Sequence, residues 1–258
     1  MIYADNAATT KMSPVALAAM LPALEDNYGN PSSLHSVGQH AAELLQSARE
    51  AMARCLNCKP REILFTSGGS EADNQALLSA SELGRLKGKK HIISTAFEHH
   101  AVLHSLKRLE KQGFEVTLLP VGPTGTVTAQ QVKEAIRPDT CLVTVMYANN
   151  EIGRSSHRGD RRRMPEAGVL FHTDAVQAAD ICPLTSRPAH RYAESLRPQF
   201  HGPKGVGALY VRQGVPITSP IEAAQERASE PVRRTSPASP PAAAAGGCLR
   251  PWRRTGPR

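Results

Sequence analysis

Six short, mostly apolar runs set what this chain can become: EILFT (62–66), HIIST (91–95), EVTLLP (115–120), CLVTVMY (141–147), GVLFHTD (168–174) and GVGALYV (205–211). Each is too short for an ordinary helix, and most are apolar at successive rather than alternate positions. A strand with that pattern hides both of its faces, as strands do in a parallel sheet covered by helices. The intervening segments supply the helices. In GQHAAELLQSAREAMARCLN (38–57), Ala41, Leu44, Leu45, Ala48, Met52 and Leu56 recur at helical spacing and form one apolar face. Further helices are expected over EADNQALLSASELGRL (71–86), 100–111 and near 128–137. This alternation predicts an α/β protein with a mainly parallel central sheet flanked by helices.

Three segments break the rhythm, and charge locates them. The net charge is +8. RSSHRGDRRRMP (154–165) sets five arginines against Asp160, CPLTSRPAHRYAESLRPQ (182–199) sets three against Glu194, and 215–258 sets seven against three glutamates. The remainder is slightly acidic, so no basic face for nucleic acid is expected. The islands also lack the aromatic platforms on which bases stack. SPASPPAAAAGGCLRPWRRTGPR (236–258) is low in complexity and too poor in large apolar residues to build a core. The expected organisation is an N-terminal arm at 1–14, a large domain at 15–214 and a disordered tail at 215–258. Within the large domain, 154–165 and 182–199 stand out as foreign.

No run approaches the ~18 apolar residues of a membrane span. MIYADNAATTKMSP has neither a basic start nor an apolar signal core. A cytoplasmic protein without membrane contact is expected. Of the five cysteines, Cys55 and Cys58 lie one helical turn apart, but no second Cys/His pair follows at zinc spacing. Inert thiols and no metal site are expected.

Four strand-end segments carry the side chains with chemistry. In TSGGSEADN (66–74), Gly68 and Gly69 permit close backbone approach, and Ser70 with the helix N-terminal amides could hold a phosphate. The plainer alternative makes Ser70 a helix cap with Asp73 three residues on. The paired histidines of FEHHAVL (97–103) could ligate a metal, stack on a ring or cap a helix. Asn149 and Asn150 in YANNEIG (147–153) follow an apolar strand, where α/β proteins bind ligands, or they form a simple turn. In HTDAVQA (172–178), Asp174 ends a buried strand, and a protonated heterocyclic nitrogen would suit its carboxylate. Gln177 could bond a second group on the same ring, and a capping aspartate is the alternative. A phosphate cradle, a stacking histidine and an acid for a ring nitrogen together describe a pyridoxal phosphate site.

In this order the motifs resemble the cysteine desulfurases, fold-type I pyridoxal-phosphate enzymes of the class V aminotransferase superfamily. The likeness extends through YADNAATT (3–10), NYGNPSSLHSVGQ (27–39), REILFTSGGSEADN (61–74) and HGPKGVGALYVR (201–212), and covers roughly 1–153, 166–181 and 200–214. It implies the large domain of that fold, with the C-terminal small domain missing, and pyridoxal 5′-phosphate as cofactor. By the same resemblance Gly69 and Ser70 bind the cofactor phosphate and His99 stacks on its ring. Asn150 and Gln177 hydrogen-bond around its phenolic oxygen, and Asp174 keeps its ring nitrogen protonated. The implied reaction takes sulfur from L-cysteine, giving alanine and an enzyme persulfide for iron–sulfur assembly or thiolation. The implied partners are sulfur-acceptor or scaffold proteins and a second copy in a homodimer. Selenocysteine lyases are related and stay open as an alternative.

Two parts of the family pattern are absent. The family places Ser-x-His-Lys directly before the Phe-His-Gly-Pro-Lys-Gly segment, and that first lysine bonds the cofactor covalently. Anchored on HGPKG, Gln199 occupies its position and Pro198 that of the histidine, while Lys204 matches a second, non-catalytic lysine. An amide cannot form an imine, so no catalytic residue is expected intact. The family's sulfur-accepting cysteine lies beyond the likeness, and Cys248 in the tail is no substitute. A non-catalytic partner is therefore the alternative to an enzyme. Synonymous codons exist for His190–Gln199 that, read one base later, spell IDMLSLSAHK, which fits the family. Ser156–Pro165 and Ser229–Ser239 can be encoded to give PAIAEIGAVCR-like and RAGTENVPGIA sequence in shifted frames. The islands are expected to be translated out of frame.

Overall fold

The computed structural model describes residues 2–123, 125–151, 168–178, 193–196 (backbone course) and 201–218. The island 154–165, Gln199, Cys182, Cys248 and the tail beyond 218 lie outside the described residues. Helix α1 (Pro14–Glu25) opens with Ser13, whose hydroxyl accepts from the Ala16 amide, and with Pro14 in the first turn. Helix α2 (Ser36–Leu56) buries Ala41, Ala48, Met52 and Leu56, the face that the spacing predicts, and stops at Asn57 in the left-handed region. A single 3-10 turn (Pro60–Glu62) leads into β1 (Ile63–Thr66). The order continues with α3 (Gly69–Leu86), β2 (His91–Thr95), α4 (His100–Lys111), β3 (Glu115–Leu119), α5 (Ala129–Ala135), β4 (Thr140–Thr144), β5 (Leu170–Asp174), β6 (Ala193–Leu196) and β7 (Gly207–Val211). Thr128 caps α5 and Gln131 returns the bond to the Thr128 amide, a reciprocal capping box.

The strands form one sheet in the order β1-β7-β6-β5-β4-β2-β3, with β7 antiparallel to both neighbours and every other pairing parallel. The α/β, mainly parallel expectation holds. Alternate residues feed the two faces. Leu64, Ile92, Leu142 and Leu209 pack with Ala76 and Leu77 of α3 and Val102, Leu106 and Leu109 of α4. On the opposite face, Ile63, Phe65 and Tyr210 meet Met52 and Leu56 of α2, while Ile93, Val143 and Phe171 meet Val127 and Val132. Strands β2, β4 and β5 are hidden almost throughout, whereas β3, at the sheet edge, is only partly covered. Because β1, β2, β4 and β5 run parallel, their carboxyl ends open on one edge of the sheet.

One helix was not anticipated, and one expectation needs correction. Residues 14–25 are helical, though no apolar periodicity marks them: Ala16 and Ala23 face inward while Val15, Leu17, Leu21 and Leu24 stay exposed. The second basic island does not wholly break the pattern either. Its residues 193–196, AESL, pair in parallel with β5 (Asp174 opposite Ser195) and antiparallel with β7 (Glu194 opposite Tyr210). These four residues include neither the arginines nor the prolines that argue against a strand in the flanking positions.

Candidate active site

A cavity of about 480 Å³ lies at the carboxyl ends of these strands, where open α/β sheets receive ligands. Its wall draws on every strand-end segment singled out in the sequence: Gly69 and Ser70 after β1, His99 after β2, Asn150 after β4, and Asp174 and Gln177 at and after β5. Residues as far apart in the chain as Ala7 and Gly205 thus meet around one space.

The turn between β1 and α3 brings the start of a helix to the cavity. Gly68 is the cap residue and offers no side chain to the first-turn amides of an 18-residue helix. Ser70 is therefore not the cap but sits within the first turn, exposed at the cavity. Glu71 fastens the turn by accepting from the Ser67 amide at 2.8 Å. Gly207 on β7 lets this turn press against the sheet: a Cβ there would stand 2.6 Å from the Gly68 Cα. Asn74 and Ser105 join α3 to α4 through a 2.6 Å hydrogen bond.

Asp174 is buried, and its Oδ1 accepts from the Val176 amide at 2.9 Å. Burial pushes its carboxyl above the usual range, while the Val176 amide and His99 pull it back. Atoms of Asp73, His99 and Asp174 lie within 4.8 Å of one another. Behind them the fully buried His172 shares a 2.9 Å hydrogen bond with the Thr144 hydroxyl and sets its Nε2 3.5 Å from Asp73. Burial holds the His172 imidazole down at about 3, so it is neutral at physiological pH.

His99 is exposed at the rim, and its Nδ1 accepts from the Ala101 amide at 3.1 Å, which makes it the cap of α4. The two asparagines separate in role. Asn149 is turned inward, donating to the Phe97 carbonyl at 2.7 Å and accepting from the Glu151 amide at 2.8 Å, while Asn150 lines the cavity. Gln177 lines it too, but its Nε2 donates to the Ala7 carbonyl at 3.0 Å. That bond brings Ala7 and Ala8 of the N-terminal arm over the site. Thr10 and Lys11 of the same arm bond to His201, and His201 accepts from the Ser13 amide. Lys204 is exposed and is not among the lining residues.

The sequence reading missed Asp73 and Met146 in the wall, and Glu98 beneath it. Glu98 is buried and bonded to the Met146 amide. An acid three residues beyond an apolar strand is a signal for Glu98; the Ala7 contact leaves no local signal at all.

The donor set fits pyridoxal 5′-phosphate. An uncapped helix N-terminus, a buried acid and an imidazole at the rim all border the cavity. This matches a group that carries a phosphate at one end and a basic ring nitrogen at the other. The volume suits one small cofactor.

Comparison with known proteins agrees with this geometry. A family profile described as aminotransferase class-V matches residues 2–226. The cysteine desulfurase IscS of Clostridium botulinum (strain Kyoto / Type A2) is 45% identical over 237 residues, covering 88% of this chain and 57% of the relative. That of Methanosarcina thermophila is 44% identical over 229 residues, with 88% and 56% covered. This chain therefore spans a little over half the length of these curated relatives. Among solved structures, a NifS-like protein superposes with a TM-score of 0.88 at 34% identity, covering 96% of this chain and 68% of that one. SspA in complex with cysteine superposes at 0.86 and 33% identity, with 96% and 72% covered. Among the described residues no helix is long and apolar enough to cross a membrane.

Proposed function

The chain belongs to the class-V aminotransferase family, and on that premise we propose that its cavity is a pyridoxal 5′-phosphate site of the cysteine desulfurase kind. The observation that carries this reading is the convergence of the α3 N-terminus, His99 and Asp174 on one cavity. The Gly69 and Ser70 amides, with the Ser70 hydroxyl, would hold the phosphate, assisted by the helix dipole. Asp174 would keep a proton on the ring nitrogen, and that cation would relieve the cost of its buried charge. His99 would cover one face of the ring. Asn150 would reach the phenolic oxygen, and Gln177 would do so by donating the second hydrogen of its Nε2, the first being donated to the Ala7 carbonyl. When bound, the cofactor supplies an electron-withdrawing ring that stabilises negative charge on a neighbouring substrate carbon.

The substrate belonging to this reading is L-cysteine, with alanine and a persulfide as products and sulfur-acceptor or scaffold proteins and a second copy of the chain as partners. The likeness to SspA in complex with cysteine supports that choice. The chain itself binds cofactor without turning over cysteine, because Gln199 stands at the family's lysine position.

The test is a titration of the purified chain with pyridoxal 5′-phosphate, followed by absorbance and equilibrium dialysis. Saturable binding is expected, weakened at least about tenfold in Asp174→Ala, the equivalent of one lost charge contact of ~1.4 kcal/mol. A wild-type chain that takes up no cofactor would refute the reading.

A further inference from the structure

We infer that Glu98 is a positioning residue of this site, a buried acid that ties the loop bearing His99 to the loop bearing Met146 and Asn150. This rests on the reading of the cavity as a cofactor site. Glu98 Oε1 accepts from the Thr95 hydroxyl at the end of β2 and, at 3.0 Å, from the Met146 amide beyond β4. A second stitch runs the opposite way, from Asn149 Nδ2 to the Phe97 carbonyl at 2.7 Å. Residues 97–99 and 146–150 are thereby held as one unit, and His99, Met146 and Asn150 present separate parts of that unit to the cavity.

The protonation of Glu98 decides whether the unit holds. Its side chain is buried, and Oε2 has no hydrogen-bond partner among the described residues. A carboxylate there would leave half its charge bare in a dry interior, whereas a carboxylic acid would not. Thr95 and Met146, which face it from β2 and from beyond β4, are uncharged. Asp174, at the end of β5, is the charged group that acts on it, and His99 acts in turn on Asp174. Burial lifts the Glu98 carboxyl to about 8, against the pull of Thr95 and Met146 and with a further push from Asp174. The acid is therefore neutral at pH 7 and ionises just above it. Ionisation sets two like charges against each other beneath the cavity and favours opening of the stitched loops.

The experiment compares the full chain with Glu98→Gln and Glu98→Ala. Glutamine keeps the shape and the accepting oxygen of the neutral acid and cannot ionise. Affinity for pyridoxal 5′-phosphate is measured from pH 6.5 to 9.5, and hydrogen exchange over 96–101 and 145–151 is measured without cofactor. Wild-type affinity is expected to fall about tenfold per pH unit above pH 8. Glu98→Gln should match the wild type at pH 7 and lose the alkaline fall, which also subtracts the cofactor's own titration. Glu98→Ala should bind about tenfold or more weakly at every pH, with both loops exchanging faster. An alkaline fall retained in Glu98→Gln, or wild-type affinity and exchange in Glu98→Ala, would overturn the proposal. If the wild type binds no cofactor at any pH, the cofactor reading fails and exchange alone judges the tether. If Glu98→Ala does not fold, Glu98→Gln decides.

Discussion

Replacing Gly207 by alanine inserts a methyl group between β7 and the turn that opens α3. The new carbon would stand 2.6 Å from both the Cα and the carbonyl carbon of Gly68 and 2.7 Å from the Thr66 hydroxyl oxygen. Carbon atoms rest at roughly 3.5–4.0 Å, so the two backbones must part by about 1 Å. Neither can yield freely, because Gly207 lies opposite Thr66 in the β1–β7 ladder and β7 is also paired to β6. Overpacking of this kind costs ~1–3 kcal/mol. Alanine recovers ~0.5–1 kcal/mol by restricting the unfolded chain. A net loss of about 1–2 kcal/mol should lower the urea midpoint by roughly 0.5–1 M for a slope near 2 kcal/mol/M. The same displacement moves the Gly69 and Ser70 amides, so cofactor affinity should fall by about tenfold or more. Urea unfolding followed by circular dichroism, together with a cofactor titration, reads both effects. A variant with wild-type midpoint and wild-type affinity would refute the close approach and its link to the cradle.

His172 makes stability depend on acid. Its imidazole ionises near 3 when folded against an ordinary 6.5, so its contribution is present above pH 6.5 and drains as pH falls toward 3, at up to ~1.36 kcal/mol per pH unit. His172→Asn should make urea midpoints less steep between pH 6.5 and 4, and an unchanged slope would count against a neutral buried imidazole. Gln199→Lys, alone or with Pro198→His, should yield a pyridoxyl label fixed by borohydride, found by mass spectrometry at residue 199. The wild-type chain should show none, and equal labelling of the two would show that another lysine does the work.

Legibility from sequence followed the range of the forces involved. Strand β2 and helix α4 occur where the pattern puts them, His91–Thr95 and His100–Lys111, because burial on both faces and a 3.6-residue period each leave a local trace. Helix α1 left none, since its leucines point to solvent and alanines fill its inner face. Asp174 was readable because a carboxylate at the end of a buried strand needs a counterpart. Asn149 and Asn150 were not separable, as the turn that points one inward and one outward depends on the Phe97 carbonyl of another loop. Asp73 reads as a surface residue in its helix, and only the packing of β5 against α3 brings His172 beside it.

The arm that roofs the cavity has a consequence for how the chain is made. Its anchors lie 170 residues away at Gln177 and 191 residues away at His201, and β1 waits for β7. A ribosome delivers residues from the amino end at ~5–20 per second. The first dozen residues therefore spend about 10–40 seconds without their partners. Sheet pairings of such long separation also fold slowly. The helices and the β2–β3 pairing can form early, but the cavity is among the last features to exist. Its roof is synthesised first, and its closure depends on residues that emerge near the end of the described chain.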